Sequence, residues 1–137
     1  MITWKSDTEW TKGDGTVSFT KAPYSIVVAK GAASKTAPTV HNTKFEVRAY
    51  AHNTVNVSTT GQNMTKVIFH LAQYAEERLA GFTADNGTVT VDVANKQVVW
   101  TGNSKSFTLT VSEFAENGTQ STKNGQFRFR EFSVVTQ

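Results

Sequence analysis

The 137-residue chain contains no cysteine, only two prolines and no long apolar run. The absence of cysteine excludes disulfides, thiolate metal sites and a cysteine nucleophile. The longest apolar segments, such as residues 26–29, are far too short to cross a bilayer, so we predict no membrane insertion. The formal net charge is only +3 and basic residues alternate with acidic ones, so the chain also lacks the basic tract of a nucleic-acid-binding or membrane-surface segment.

The first residues contain no apolar signal-peptide core and no lipidation cysteine. This predicts a product that is made and used without that export route, or a domain that carries an added methionine. The length predicts a single domain over residues 1–137. A domain of this size can bury a core without the help of a metal or a disulfide.

What the sequence does contain is alternation of apolar and polar residues with a period of two. Residues 45–50, 88–93, 106–111 and 126–129 all show it. Because successive strand side chains point to opposite faces, each run places one row in a core and the other in water. Turn-forming Gly, Asn and Asp separate the runs. We therefore predict an all-β fold, an antiparallel two-sheet sandwich of the jelly-roll or immunoglobulin-like kind. The predicted strands are 2–4, 8–11, 15–20, 24–29, 45–51, 54–59, 66–72, 88–93, 97–101, 106–112 and 126–135.

Three segments depart from this alternation. Residues 31–42 are small, polar and proline-bearing, which predicts an exposed connection. Residues 73–80 are the only good helix former, so we predict one short helix there. In the last strand the apolar positions shift phase after Phe129, and a strict period would bury Glu131. A β-bulge near Arg130-Glu131 would restore the pattern.

No residue pattern predicts catalysis, a metal or a cofactor. The histidines lack metal-ligand spacing, and the segment 85–87 is better explained as a turn than as a calcium site. The glutamate pairs at 76/77 and 113/116 give no sign of the facing carboxylates that acid–base catalysis needs, and we predict that they are surface residues. We therefore predict a protein that is not an enzyme, with no catalytic, cofactor-binding or metal-binding residues.

The segment 127–130 alternates Phe with Arg, as some nucleic-acid-binding strands do. The period of two places Phe127 and Phe129 in the core and Arg128 and Arg130 outside. The rings could not then stack on bases, so we predict no nucleic-acid partner.

The aromatic residues that we predict to be exposed, and therefore to bind, are Trp4, Trp10, Tyr24, Tyr50 and Tyr74. Exposed Trp and Tyr serve as platforms for sugar rings and as anchors of protein interfaces, so both kinds of partner stay open. Trp100, inside an apolar run, is a candidate core residue.

Two segments are predicted to touch a neighbour. They are the segment with Trp4 and Trp10 and the loop 31–42, because both lie outside the strongest strand pattern. Polar partners for a sugar are also available, although turns use the same residue types. They are Asn42, Asn53, Asn103 and Asp14.

Several motifs recur in a fixed order from about residue 15 onward. They are TVSFTK (16–21), FEVRAYAHNTVNV (45–57), MTKVIF (64–69), FTADNGTV (82–89), VWTG (99–102), SFTL (106–109) and GQFRFREFSV (125–134). In order and spacing they resemble a β-sandwich domain of surface lipoproteins and secreted proteins of gut Bacteroidetes. The resemblance implies a jelly-roll-like sandwich, a non-enzymatic accessory role and no catalytic residues. Small Ig-like or jelly-roll domains also decorate the capsids and fibres of tailed phages, including those of these bacteria. A signal-less, cysteine-free, compact β-domain resembles that usage.

These observations predict a non-catalytic structural or display protein that docks on a larger assembly. The predicted assembly is a phage virion, with the protein made in the host cytoplasm and placed at the virion surface against capsid or fibre proteins. The alternative is a carbohydrate-binding accessory module of an exported Bacteroidetes protein, located outside the cell or at its surface, with glycans as ligands. Glycan binding that is lost on replacing Trp10 or Tyr50 would favour the alternative.

Overall fold

The computed structural model describes residues 1–32 and 34–137 as two six-stranded sheets packed face to face. All paired strands are antiparallel, which confirms the predicted two-sheet sandwich. The strands are β1 (Thr11–Gly13), β2 (Thr16–Lys21), β3 (Tyr24–Ala29), β4 (Thr39–Val40), β5 (Val47–Tyr50), β6 (Thr54–Thr59), β7 (Met64–Leu71), β8 (Phe82–Ala84), β9 (Thr88–Asp92), β10 (Gln97–Ser104), β11 (Ser106–Val111) and β12 (Gln126–Thr136).

The first sheet has the strand order β1-β2-β3-β6-β11-β8, and the second has the order β4-β5-β12-β7-β10-β9. The inward rows of both sheets meet in one hydrophobic core. Val55 and Val57 of β6 and Phe127 and Phe129 of β12 are fully buried in it, as the period of two predicts. Trp100 is also fully buried, which confirms its place in the core.

The phase shift in β12 is a β-bulge, as predicted. Phe129 pairs with Leu71 of β7, but the next pair joins Glu131 to His70, so Arg130 is the extra residue. Arg130 stays exposed, Glu131 faces outward and Phe132 is buried. The bulge thus keeps the apolar row of one long strand on the core side.

The predicted strands 2–4 and 8–11 are wrong. Ile2 forms only an isolated bridge with Phe132, and Asp7–Glu9 is a 3₁₀ turn. For residues 7–9 the physical reason is a capping box: the Ser6 hydroxyl accepts from the Thr8 backbone N–H, and the Glu9 carboxylate accepts from the Ser6 N–H. This local hydrogen bonding favours a turn over an extended chain.

Other differences concern very short elements. β4 lies inside the segment predicted as an exposed connection, and its Val40 is buried. β8 was not predicted, and the predicted helix over 73–80 is a single 3₁₀ turn, Ala75–Arg78. Elements of two to four residues are too short to display a period. Among the described residues, no helical segment has the length and apolarity to cross a membrane.

Candidate binding surfaces

Trp4 and Trp10 are buried, so the prediction that they are exposed is wrong. Their exposed fractions are 6% and 3%. The two indole rings meet edge to face with centroids 5.0 Å apart, and Trp10 stacks on Phe19 of β2 at 5.4 Å. Trp4 also contacts Phe129 of β12 edge to face. The aromatic rings thus fill the space between the two sheets, where burial of large apolar surface stabilises the fold.

Trp4 has a backbone acceptor in this packing, because its indole N–H donates to the carbonyl of Phe45. The N-terminal segment is also held by Asp7, which accepts from the Lys12 ammonium at 2.9 Å. This hydrogen bond holds the pKa of the Asp7 carboxyl below its usual value. The two tryptophans therefore act as core residues and offer no platform to a ligand.

The three tyrosines occupy different environments. Tyr24 is half-buried and packs against the core of the first sheet. Tyr50 is half-buried on the outer side of the second sheet, with its hydroxyl 3.5 Å from Thr39 Oγ1. Tyr74 alone is highly exposed, at 56%, and its carbonyl accepts from Arg128 Nη2 at 2.7 Å. Tyr50 and Tyr74 thus both lie beside the part of the second sheet where β5 pairs with β12. Tyr24 belongs to β3 of the first sheet.

A groove of about 430 Å³ lies beside Tyr50. This volume is within the range of small-molecule sites, whereas the cleft between β2 and β4, at about 220 Å³, is below it. The polar side chains around the groove come from five separate segments of the chain. They include His52, Arg78, Glu113, Asn124 and Gln126.

The groove combines one aromatic ring with groups that can donate and accept hydrogen bonds. Gln126 is the register partner of Tyr50, so strand pairing places its amide beside the ring. Arg78 is fixed by a 3.2 Å hydrogen bond from its Nε to the Asn124 carbonyl. Glu113 supplies a carboxylate. A ring flanked by an amide, a guanidinium and a carboxylate can bind a sugar by stacking and hydrogen bonding.

Asn53 follows His52 of the groove in the chain and is not itself available to a ligand. It is fully buried. Its Nδ2 donates to Ser34 Oγ at 2.9 Å and to the Thr36 carbonyl at 2.8 Å, and its Oδ1 accepts from the Tyr50 N–H at 2.8 Å. The amide therefore ties the loop after β3 to the end of β5, where Tyr50 stands.

A second candidate surface is the outer face of the first sheet, whose outward strand positions carry no charged side chain. The outward positions of its four central strands are aligned in three rows across the sheet. They are Thr16, Ser18, Thr20, Ser25, Val27, Ala29, Thr54, Asn56, Ser58, Ser106, Thr108 and Thr110. We call this surface the neutral face.

Asn56 is the hydrogen-bonding centre of the neutral face. Its Nδ2 donates to Ser106 Oγ at 3.1 Å and to Thr108 Oγ1 at 3.0 Å. Its register partner on β3 is Val27, an exposed valine. Cross-strand side-chain bonds of this kind hold the hydroxyl groups in place.

The outer face of the second sheet differs because it carries charges. Glu46 is almost fully buried beside it, 3.4 Å from Arg48 Nη2 and 3.8 Å from Arg128 Nε. Arg48 and Arg128 face each other across β5 and β12, so the shared carboxylate offsets their repulsion. Lys66 and Glu131 follow on the same face.

The segment 85–87 is a loop whose polar atoms serve the sandwich. Asp85 Oδ1 accepts from the Thr108 N–H at 2.8 Å, and the Asn86 carbonyl accepts from Trp100 Nε1 at 2.9 Å. Within residues 1–32 and 34–137, no cluster of three or more His, Asp or Glu is placed to hold a metal ion.

Sequence reasoning identified Tyr50 but missed most of its neighbours in the groove. Gln126 could have been found, because the alternation that buries Phe127 turns it outward. Arg78 and Asn124 carry no such signal, since neither lies in a strand. No protein-family model, no curated protein and no solved structure was found to match this chain.

Proposed function

We propose that this protein is a non-catalytic structural or display protein that docks on a larger assembly through the neutral face. The observation that carries the proposal is the absence of charge at every outward position of the four central strands of the first sheet. Solvated protein surfaces ordinarily carry charged side chains, whereas the cores of protein interfaces are depleted of them. A charge-free face can be covered by a partner without the cost of burying an unpaired charge.

The assembly that we propose is a phage virion, with the protein as a capsid-decoration or fibre component at its surface. The resemblance of the chain to sandwich domains of gut Bacteroidetes supports this choice, because small Ig-like or jelly-roll domains often decorate the capsids and fibres of tailed phages of these bacteria. A compact sandwich with one wide neutral face is suited to repeated docking on a regular shell, because it acts through shape and needs no chemistry of its own.

A pair of valine variants tests the proposal. Val27→Glu places a carboxylate on the neutral face, and Val135→Glu places one at an exposed outward position of the second sheet, opposite Lys66. In density-gradient sedimentation of native particles, we expect Val27→Glu to be absent from the particle fraction and Val135→Glu to be retained in it. Circular dichroism of both variants verifies that they fold. A protein absent from particles, or equal retention of both variants, would contradict the proposal.

The groove beside Tyr50 favours a second candidate function, the binding of a glycan by an accessory module. Tyr50→Ala removes the aromatic ring, and Tyr74→Ala is the matched control because Tyr74 does not line the groove. Under this alternative, the purified protein binds a defined saccharide on a glycan array. Tyr50→Ala is then expected to lose at least tenfold in affinity, as befits a lost stacking contact of about 1.4 kcal/mol, and Tyr74→Ala to bind normally. An array without signal would exclude the glycans tested as ligands of the groove.

A further inference from the structure

The edge of the second sheet at β9 is open. β9 pairs with β10 on one side, from Thr88 opposite Thr101 to Asp92 opposite Gln97. In the order of the second sheet it is the last strand. Alternate backbone N–H and C=O groups of an edge strand point away from the sheet, and among the described residues none of those of β9 is paired beyond β10. Such a row is a template for another strand.

The other three edges of the sandwich are shorter or blunted. β1 has three residues, including Lys12 and a glycine. β4 has two residues and follows Pro38, and β8 has three. β9 has five residues and contains no proline, glycine or lysine, the residues that commonly protect an edge. β9 is therefore the edge of the sandwich best able to pair with a further strand.

The apolar residues of β9 are incompletely covered. Val89 and Val91 face the core but remain only half-buried at the margin of the sheet. Val93, just beyond the strand, is 41% exposed. A strand added beside β9 would extend the inward row and cover these side chains, which is favourable by the hydrophobic effect.

We infer that the added strand is β9 of a second copy of this chain, paired antiparallel about a two-fold axis at Thr90. In that register Val89 lies opposite Val91 of the other copy, and Thr88 lies opposite Asp92. The single charge of the strand therefore meets a hydroxyl and never its own counterpart, so the edge is complementary to itself. A slip by one residue would set the inward row of one copy beside the outward row of the other. The second sheet of one copy and the second sheet of the other then form one continuous sheet through the dimer.

The dimer is weak and depends on concentration. One strand pair with its flanking side chains buries less than the ~1,200 Å² of a typical stable interface. Association is therefore expected in the micromolar to millimolar range of dissociation constants. The inference is independent of docking by the neutral face, because β9 belongs to the other sheet.

Charged substitutions at Thr90 test the inference. Thr90 faces outward, so a charged side chain there is expected to leave the core intact. Thr90→Lys or Thr90→Glu alone brings like charges together across the two-fold axis, and we expect each to weaken the dimer at least tenfold in sedimentation velocity. An equimolar mixture of the two variants is expected to restore association through opposite charges.

Thr83→Lys is the matched control, an exposed outward threonine on the β8 edge of the first sheet. We expect it to dimerise as the unmodified chain does. A monomeric unmodified chain at millimolar concentration would overturn the inference, as would unchanged association of Thr90→Lys. A mixture no more dimeric than its components would overturn the register centred on Thr90.

Discussion

The Trp100 side chain limits which residues can lie next to it in this sandwich. Its ring stacks on Phe107 with centroids 4.1 Å apart and planes 7° from parallel, and its N–H donates to the Asn86 carbonyl. Gly87 and Gly102 lie against the indole, where there is no space for a side chain. At Gly87 the backbone also has a φ of +71°, which itself favours glycine. The fit between ring and glycines therefore constrains three positions at once.

Gly102→Ala is expected to lower the free energy of unfolding by about 1–3 kcal/mol. A β-carbon at this position would lie 2.5 Å from Cζ2 of Trp100, so the stacked ring must shift. Gly61→Ala is the control, since its β-carbon would meet no atom closer than 3.5 Å. Urea unfolding followed by circular dichroism measures both. Equal stability of the two variants would contradict the prediction, because the indole ring would then shift without lowering the free energy of unfolding.

Asn53→Asp is expected to destabilise the protein by about 2 kcal/mol or more. The change keeps the shape but removes the donors to Ser34 and Thr36 and places a carboxylate among carbonyl oxygens. Asn103→Asp is the matched control, because exposed Asn103 uses its oxygen as an acceptor, from Asn63, and an aspartate retains it. Thermal unfolding measures the stability of both variants. A loss of stability in Asn103→Asp as large as that in Asn53→Asp would refute the explanation.

At the scale of elements, the bulge in β12 lets one strand serve two pairings. Its first half pairs with β5, with Arg128 opposite Arg48, and its second half pairs with β7, with Ser133 opposite Ile68. The extra residue at the junction shifts the side-chain alternation by one, so the apolar side chains before and after it share the core.

Deletion of Arg130 is expected to abolish cooperative folding or to lower stability severely. Without the extra residue, the chain after Phe129 must either turn Glu131 into the core or lose its register with β7. Arg130→Ala keeps the residue count, and for this exposed side chain we expect a change within about 0.5 kcal/mol. Thermal denaturation of the two variants distinguishes the length of the strand from the identity of the side chain.

At the scale of the whole molecule, one core holds both sheets together. Trp4 and Trp10 pack where Phe19 of the first sheet approaches Phe129 of the second, and Trp100 of the second sheet stacks on Phe107 of the first. The side chains of the two sheets interlock at more than one place, so neither sheet can leave the other without exposing large aromatic surface.

Unfolding is therefore expected to be a single cooperative transition. Trp100→Phe leaves fluorescence from Trp4 and Trp10, and the double variant Trp4→Phe/Trp10→Phe leaves fluorescence from Trp100 alone. In each variant we expect the fluorescence midpoint in urea to coincide with the midpoint by circular dichroism. Different midpoints within one variant would mean that part of the sandwich unfolds separately.

The sequence by itself determined the architecture. The period of two in segments such as 106–111 and 126–129 predicts which rows are inward, and the phase shift predicts the bulge at Arg130. These features follow from the geometry of adjacent residues in a strand, so a linear pattern is enough to reveal them.

Only the tertiary structure decided which residues from separate segments come together. Trp4 is buried because it reaches a carbonyl 41 residues away, and Tyr50 lines a groove because Arg78 and Asn124 converge on it from separate segments. The neutral face likewise exists because pairing of β3, β6 and β11 brings distant hydroxyl residues into rows. Contacts between residues far apart in the chain depend on how the sheets close, and no local pattern carries that information.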